Sequence, residues 1–542
     1  MTTARVFVRE ATGLVREISP YQLIFFNFLT APIIPTLMFS INWNPNLFPG
    51  FDFNTGLLII TLLAIPMYLT YAIVYAAFPK AGTDYVFQSR VLSPGIGFAS
   101  TFASWVFFQF WFIALEGASV VEMFLVPWLF SLAQFTGNPS YAAIGNTLGQ
   151  PSSLAIVSFT AVIAAGLIVM GGLRYYLKVQ TALFCAAAIA IVAMVIMLVS
   201  TSNSAFISNF NTQVSSMIGS SDAYNKVITT AQSENYVLSP TFTLYASIGG
   251  MITPWTFALA WTMFGNLGLG GEVKSAGSVK TQMITILGSF FLVVIGLFVL
   301  WNLFIGMMGQ TFWTAMATLA WNADPLLTKL PSFFYTQPAS YVFLYGTNNI
   351  VLGTIWAIGG ALTLLATIFT IYTLVARMVF AHTFDRLFPE KLAYITERTR
   401  TPVYIMIVMI ILACAWTYGV LYYASILYAY LASVEFIISA TIILTMIGAI
   451  FFQFRMKRYF EQSPARRYRV AIIPLAILGV FVNLLVIYYL WTVPALLATT
   501  PQSESLIVGV FVIGLVYYFI MKAYRKSTGL NLGDTFKEIP PD

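Results

Sequence analysis

Three carboxylates lie within long apolar stretches of the chain: Glu116, Glu122 and Glu435. An acidic side chain at the centre of a membrane helix costs about 2.5–3.5 kcal/mol on insertion scales. No lysine or arginine lies deep in those stretches. The partner of each acid is therefore a proton, a metal ion, a network of hydroxyls and amides, or a cationic substrate. Proton or amine binding is the chemistry such residues offer, with Glu116 first and Glu435 second. The blander alternative is a neutral glutamate bonded to a neighbouring helix.

Thr363, Thr367 and Thr370 recur at helical spacing and share one face. Hydroxyls so placed, with backbone carbonyls, could ligate sodium, although hydroxyls often bond back to their own helix. Trp255, Phe257 and Trp261 offer stacking or cation–π surfaces for an amine, or ordinary packing. The single histidine, His382, excludes haem and copper oxidases, which need several imidazoles. No His/Cys cluster suits zinc and no firm metal ligand set is visible, so no cofactor is expected. The cysteines, Cys185 and Cys414, lie in apolar runs and read as small apolar fillers, not as a disulfide.

The elements that position these residues follow from composition. Of 542 residues, 59% are hydrophobic and 8% charged, against roughly 25% charged in soluble domains. A soluble protein, a disordered tail and a nucleic-acid binder are excluded. The lipid bilayer is the expected partner.

About 20 apolar residues cross the hydrocarbon core. Twelve runs qualify. The first six lie near Tyr21–Ile41, Thr55–Phe78, Gly97–Phe135, Leu154–Met170, Val179–Ser200 and Phe242–Gly268. The second six lie near Thr281–Met308, Ile350–Phe380, Pro402–Tyr422, Ser425–Phe452, Val470–Leu490 and Leu506–Met521. Run 3 is too long for one straight span, and Pro127 is expected to break it. Segments 201–241 and 310–349 are expected to form short lid helices outside.

With the N-terminus inside, 24 of the 26 basic residues fall on the cytoplasmic side, including Arg5, Arg9, Arg398 and Arg400. Only Lys226 and Lys329 fall outside. The positive-inside rule thus puts both termini in the cytoplasm and requires an even number of spans. No cleavable signal is expected, because no small-residue cleavage site follows the first basic residues. The absence of deep lysines also argues against antiporter subunits built on buried lysine chains.

Run 1 reads Phe28-Leu29-Thr30-Ala31-Pro32-Ile33-Ile34-Pro35 at its middle. Two prolines remove two amide donors and clash with preceding carbonyls. Run 6 reads Gly249-Gly250-Met251-Ile252-Thr253-Pro254-Trp255-Thr256. The charge census makes the two runs enter from opposite sides. Interrupted helices at matching places in inverted halves point to a secondary transporter with its site at the bilayer midplane.

Residues 78–105 carry Pro79, Gly82, Tyr85, Arg90, Pro94, Gly97, Phe98 and Trp105. Residues 376–402 carry Arg377, Ala381, Asp385, Pro389, Thr401 and Pro402, and residues 271–282 contain Glu272. Lys178-Val179-Gln180 opens run 5. In this order and on one side, these motifs resemble the loops of the amino acid–polyamine–organocation (APC) superfamily, over roughly Arg16 to Phe452. The resemblance implies a leucine-transporter-like fold with substrate at the broken midpoints. Thr30, Ala31, Ile33 and Ile34 stand where many members have a glycine-rich, carboxylate-holding break. The lysine that many proton-coupled members carry midway along helix 5 is absent here. Arg90, Glu272 and Asp385 occupy loop positions expected to form an inner-gate network.

The expectation is an all-α polytopic membrane protein with twelve spans and no enzymatic activity. Residues 1–20 form a cytoplasmic N-terminus, 21–200 the first repeat of five helices and 201–241 an outside loop. Residues 242–452 form the second, inverted repeat, 453–521 two further helices and 522–542 a tail. The expected function is amino acid permease of the cell membrane. Substrate contacts are Thr30, Ala31, Ile33, Ile34, Glu116, Thr253, Trp255, Phe257 and Trp261. Glu116, Glu435, Thr367 and Thr370 are the coupling candidates, for a proton or sodium. A polyamine or organic-amine carrier and a non-transporting ligand sensor stay open, as does the oligomeric state.

Overall fold

Pro32 interrupts the first helix because it has no N–H to give the Phe28 carbonyl. Residues Pro20–Thr30 and Ile33–Leu47 form two helices separated at Ala31 and Pro32. Ala31 donates its N–H to Phe28 O instead, at 3.1 Å. The computed structural model describes residues 16–396, 399 and 401–540, with the side chains of 173, 424–430 and 432 outside the description. Arg5, Arg9, Arg398 and Arg400 lie outside the described residues.

Among the described residues, eleven helices are long and apolar enough to cross a membrane. They coincide with every apolar run except the sixth. Run 6 is instead a chain of short pieces: Leu244–Gly249, Ile252–Phe257, a single 3₁₀ turn at Leu259–Trp261, and Phe264–Leu269. Regular strands are absent from the described residues, which hold two isolated bridges, Ile18 to Val273 and Ala81 to Leu269. Large apolar side chains such as Leu58, Ile156, Val199, Ile295, Ile411 and Val508 are exposed on the outer surface. Such a surface fits lipid rather than water. The chain is a multi-pass membrane protein.

Run 3 departs from expectation. Pro127 does not break it: Pro94–Thr136 is continuous over 43 residues. The helix widens into a π turn at Val120–Leu125, where Val126 N–H reaches back to Val121 O. That wider turn absorbs the proline's missing donor. A second π stretch covers Ala103–Phe107. Cys185 also departs, being exposed rather than a buried filler.

The two halves of run 6 lie along the two halves of run 1 in antiparallel order. Ile252–Phe257 packs on Ile33–Leu47, and Phe264–Leu269 packs on Pro20–Thr30. At Gly265 a Cβ would sit 2.7 Å from Leu23 and 2.8 Å from Asn27 Oδ1, so the close approach requires glycine. Around this pair, run 2 packs on run 7, run 3 on run 8 and run 4 on run 9.

Segments 201–241 and 310–349 do form short helices: Asn203–Ile218, Ala223–Ser233, Gln310–Trp321 and Pro338–Thr347. The latter two lock onto the second half of run 1. Trp313 Nε1 donates to Ile41 O at 2.7 Å, and Asn42 Oδ1 accepts from Ala339 N–H at 3.1 Å.

Candidate functional site

The broken centres of runs 1 and 6 free backbone groups in the interior. Ile33 and Ile34 open the second helix of run 1, and their N–H groups have no acceptor among the described residues. With the positive end of a 15-residue helix behind them, they suit a carboxylate. The Ala31 amide is committed to Phe28 O, and the Thr30 hydroxyl donates to Phe26 O at 2.7 Å. Of the four residues expected at this break, two thus offer free amides in this state.

The Leu29 carbonyl, which Ile33 N–H would take in an unbroken helix, accepts from the Thr367 hydroxyl of run 8 at 2.9 Å. Thr363 and Thr370 bond back to their own helix, through Gly359 O and Thr367 O at 2.8 Å each. Of the three hydroxyls on that face, Thr367 is the one that crosses to the break.

In run 6, Thr253 donates to Asn44 Oδ1 at 3.0 Å, while Asn44 Nδ2 donates to Gly250 O at 2.8 Å. This exchange pins the run 6 break to run 1. Phe257 stacks on Phe39 with centroids 4.6 Å apart, and Trp261 meets Phe112 of run 3 edge-on at 4.4 Å. Trp261 also donates its indole N–H to Thr256 O at 2.5 Å. The Trp255 indole N–H is buried without a hydrogen bond.

Glu435 of run 10 is fully buried behind this segment. Its Oε1 accepts from Ser439 at 3.3 Å, and Thr256 and Trp255 lie beside the carboxyl. Its Oε2 has no hydrogen-bond partner. Glu116 lies one turn from Phe112 on the same helix face, and its Oε2 also lacks a partner. Glu122 falls in the π turn and is less buried. Among the described residues, no three His, Cys, Asp or Glu side chains are grouped to hold a metal ion.

At one end of the bundle, ion pairs tie the loops and helix ends together. Arg90 grips Asp385 with two hydrogen bonds, at 2.5 and 2.8 Å. Glu272 does not join that pair: Arg377 takes both its oxygens, at 2.8 and 3.2 Å. The expected single network is two buried ion pairs, because run 8 brings Arg377 nearer to the end of run 6. Beside them, Ile18 N–H donates to Glu272 O and Lys274 N–H to Ile18 O, at 3.0 and 2.9 Å.

Sequence reasoning passed over a buried amide cluster at this end. Asn27 Oδ1 accepts from Gly265 N–H at 2.7 Å, Asn27 Nδ2 donates to Asn266 Oδ1 at 2.8 Å, and Asn266 Nδ2 donates to Gln282 Oε1 at 2.6 Å. The signal was a lone asparagine in each of runs 1 and 6, since a buried amide demands partners.

No curated protein matches the chain at a significant level. A family model described as amino acid permease matches residues 53–516, well over half of the chain. With the paired helix breaks and the loop motifs, that match settles the family: the chain belongs to the amino acid permease family of the APC superfamily.

Proposed function

We propose that this permease is a secondary active transporter that carries an amino acid across the cell membrane by alternating access. The observation that carries the reading is the antiparallel contact between the broken centres of runs 1 and 6. Free amides at Ile33 and Ile34 receive the substrate carboxylate, and Phe257 and Trp261 cover its side chain. Transporters of this kind hold substrate at half-helix ends near the midplane.

Run 6 is the twelfth span in this reading, missed by length alone because it is interrupted. Runs 1–5 and 6–10 are inverted repeats. Contacts of run 1 with 6, 2 with 7, 3 with 8 and 4 with 9 support this, since each joins elements that the repeat would relate. The end carrying Arg90, Asp385, Glu272 and Arg377 is cytoplasmic, as the basic-residue census requires. The two ion pairs form the closed inner gate, and the helices Gln310–Trp321 and Pro338–Thr347 close the opposite end. Rocking of one repeat against the other opens them in turn. Coupling is to a proton through Glu435 or Glu116, or to sodium at Thr367 and Leu29 O.

An organic-amine carrier is the second reading, favoured by the unpartnered oxygens of Glu116 and Glu435. Thermal unfolding of purified protein with amino acids and polyamines, each with and without sodium, separates the two. Ligand at 100 times its dissociation constant adds about 2.7 kcal/mol. Stabilisation by a neutral amino acid is expected. Stabilisation by amines alone transfers the reading to the amine carrier.

A further inference from the structure

Run 12 is the helix Pro501–Ser527, and the chain turns back after it. Leu530 N–H donates to Arg525 O at 2.9 Å and Gly529 N–H to Lys526 O at 3.1 Å. Gly529 makes that turn at a φ of +83°, which favours glycine. A short helix, Leu532–Thr535, follows, capped by Asn531, whose Oδ1 accepts from Gly533 N–H at 3.1 Å. Leu532 and Phe536 are buried, and the Phe536 ring meets that of Tyr518 on run 12 edge-on at 6.4 Å. The segment after run 12 is thus packed back on the bundle.

Its far end covers Arg90. The guanidinium lies over the Phe536 ring, 5.0 Å from the centroid, and Nε donates to Glu538 O at 3.3 Å. The other two guanidinium nitrogens hold Asp385 and Ser89. All three nitrogens are therefore engaged. The Arg90 side chain is 1% exposed although it stands in the last turn of a loop helix, Thr83–Val91. A cation over an aromatic face gains most where water is excluded. Asp84, in the first turn of the same helix, is fully buried and accepts from Trp105 Nε1 at 3.0 Å. Run 3 thus fixes one end of this helix, and the segment meets the other.

Run 12 holds the opposite member of the pair. Tyr517 donates its hydroxyl to Leu387 O at 2.9 Å. Arg525 donates to Arg386 O at 3.0 Å and to Phe388 O at 3.3 Å. These three carbonyls follow directly after Asp385. One continuous stretch of chain, outside runs 1–10, therefore grips the backbone beside Asp385 and the side chain of Arg90.

We propose that residues 529–540 are an autoinhibitory strap that holds the Arg90–Asp385 pair together and must lift before the inner side opens. This rests on the reading of that pair as the inner gate. Opening separates the helix Thr83–Val91 from the loop after run 8. With the strap seated, the same motion must also break the Phe536 contact and the Glu538 bond, because run 12 stays with the loop. The strap thereby biases the transporter against its inward-open state without touching the substrate.

Amide hydrogen exchange of the purified full chain, with no solute added, tests this in the wild type, Phe536→Ala, Phe536→Tyr and Arg90→Ala. The readout is exchange in residues 20–30 and 264–274, the inner ends of runs 1 and 6. Among the described residues, the hydrogen bonds and ring contacts of the strap run to Arg90 and run 12, not to these. Arg90→Ala is expected to raise exchange there severalfold. Phe536→Ala is expected to raise it in the same residues by a smaller factor, and Phe536→Tyr, which keeps the ring, to stay at the wild-type level. A rise in Phe536→Ala confined to residues 79–93 and 517–540 makes the segment local packing and overturns the strap, as does no rise at all. A rise in Arg90→Ala without one in Phe536→Ala overturns the strap alone. No rise at runs 1 and 6 in Arg90→Ala overturns the gate reading and the strap with it, so the two failures are told apart.

Discussion

The Thr367 hydroxyl of run 8 donates to the Leu29 carbonyl at 2.9 Å, and that carbonyl is free because Pro32 has broken the helix it belongs to. One bond thus ties the interrupted helix to the long helix crossing behind it. In Thr367→Val the shape is kept and the donor is lost. Thermal stability is expected to fall by about 1–3 kcal/mol, the cost of an unmet buried carbonyl, with Thr367→Ser close to wild type. Calorimetry of the three proteins checks this. If sodium couples here, its stabilising effect disappears in Thr367→Val as well.

Arg90 and Asp385 are buried and doubly hydrogen-bonded at the end of the bundle where we place the inner gate. Removing one partner leaves the other charge uncompensated, at a cost of about 3–5 kcal/mol to this packing. Arg90→Ala is therefore expected to raise amide hydrogen exchange in residues 79–93 and 376–390 while the rest of the bundle stays protected. Uniform exchange across both proteins would separate this pair from gating.

The C-terminal segment lies on the same arginine. The Arg90 guanidinium stands 5.0 Å from the Phe536 ring, and its Nε donates to Glu538 O at 3.3 Å. Such a contact contributes about 0.5–1 kcal/mol. Phe536→Ala should therefore raise exchange in residues 79–93 in the same direction as Arg90→Ala, to a smaller extent.

Gly265 is where run 6 approaches run 1 most closely in the half that carries Asn27. Gly265→Ala inserts a methyl against Leu23, Phe26 and Asn27. A loss of about 1–3 kcal/mol is expected for overpacking, read as a lower unfolding temperature and weaker substrate binding together.

Asp84 fixes a pH dependence of stability. Its carboxyl lies near 7 when folded and near 3.8 as a free side chain, so the folded protein binds the proton more tightly. Stability then falls as pH rises from about 4 to about 7 and levels off above. Asp84→Asn keeps an acceptor for Trp105 and should flatten that slope, unfolding at higher temperature than wild type above neutrality. Unfolding temperatures across the range test it, and parallel curves for the two proteins would contradict it.

Much of the fold was legible in the sequence because lipid imposes a long, uniform apolar signal, and among the described residues ten of the twelve runs stand as continuous helices. The breaks were legible for the same reason: proline and paired glycines inside such runs have few uses. Pro127 misled, since a π turn can absorb a proline's missing donor and composition does not encode that choice. Glu435 was visible as a charge in an apolar run. Asp84 was not, because an acid in a polar loop is ordinary until folding surrounds it with Tyr71, Tyr75 and Trp105. The pairing of Glu272 with Arg377 was hidden likewise, since it depends on how far run 8 extends beside the end of run 6.

The central claim is that the paired breaks of runs 1 and 6 hold an amino acid in transit. Solute counterflow tests it most directly: liposomes containing the full chain are loaded with each proteinogenic amino acid in turn and exposed to traces of the labelled form. At least one amino acid is predicted to exchange into these liposomes well above protein-free ones, and polyamines are predicted not to. Exchange of polyamines alone, or of nothing in protein that still unfolds cooperatively, would contradict the account.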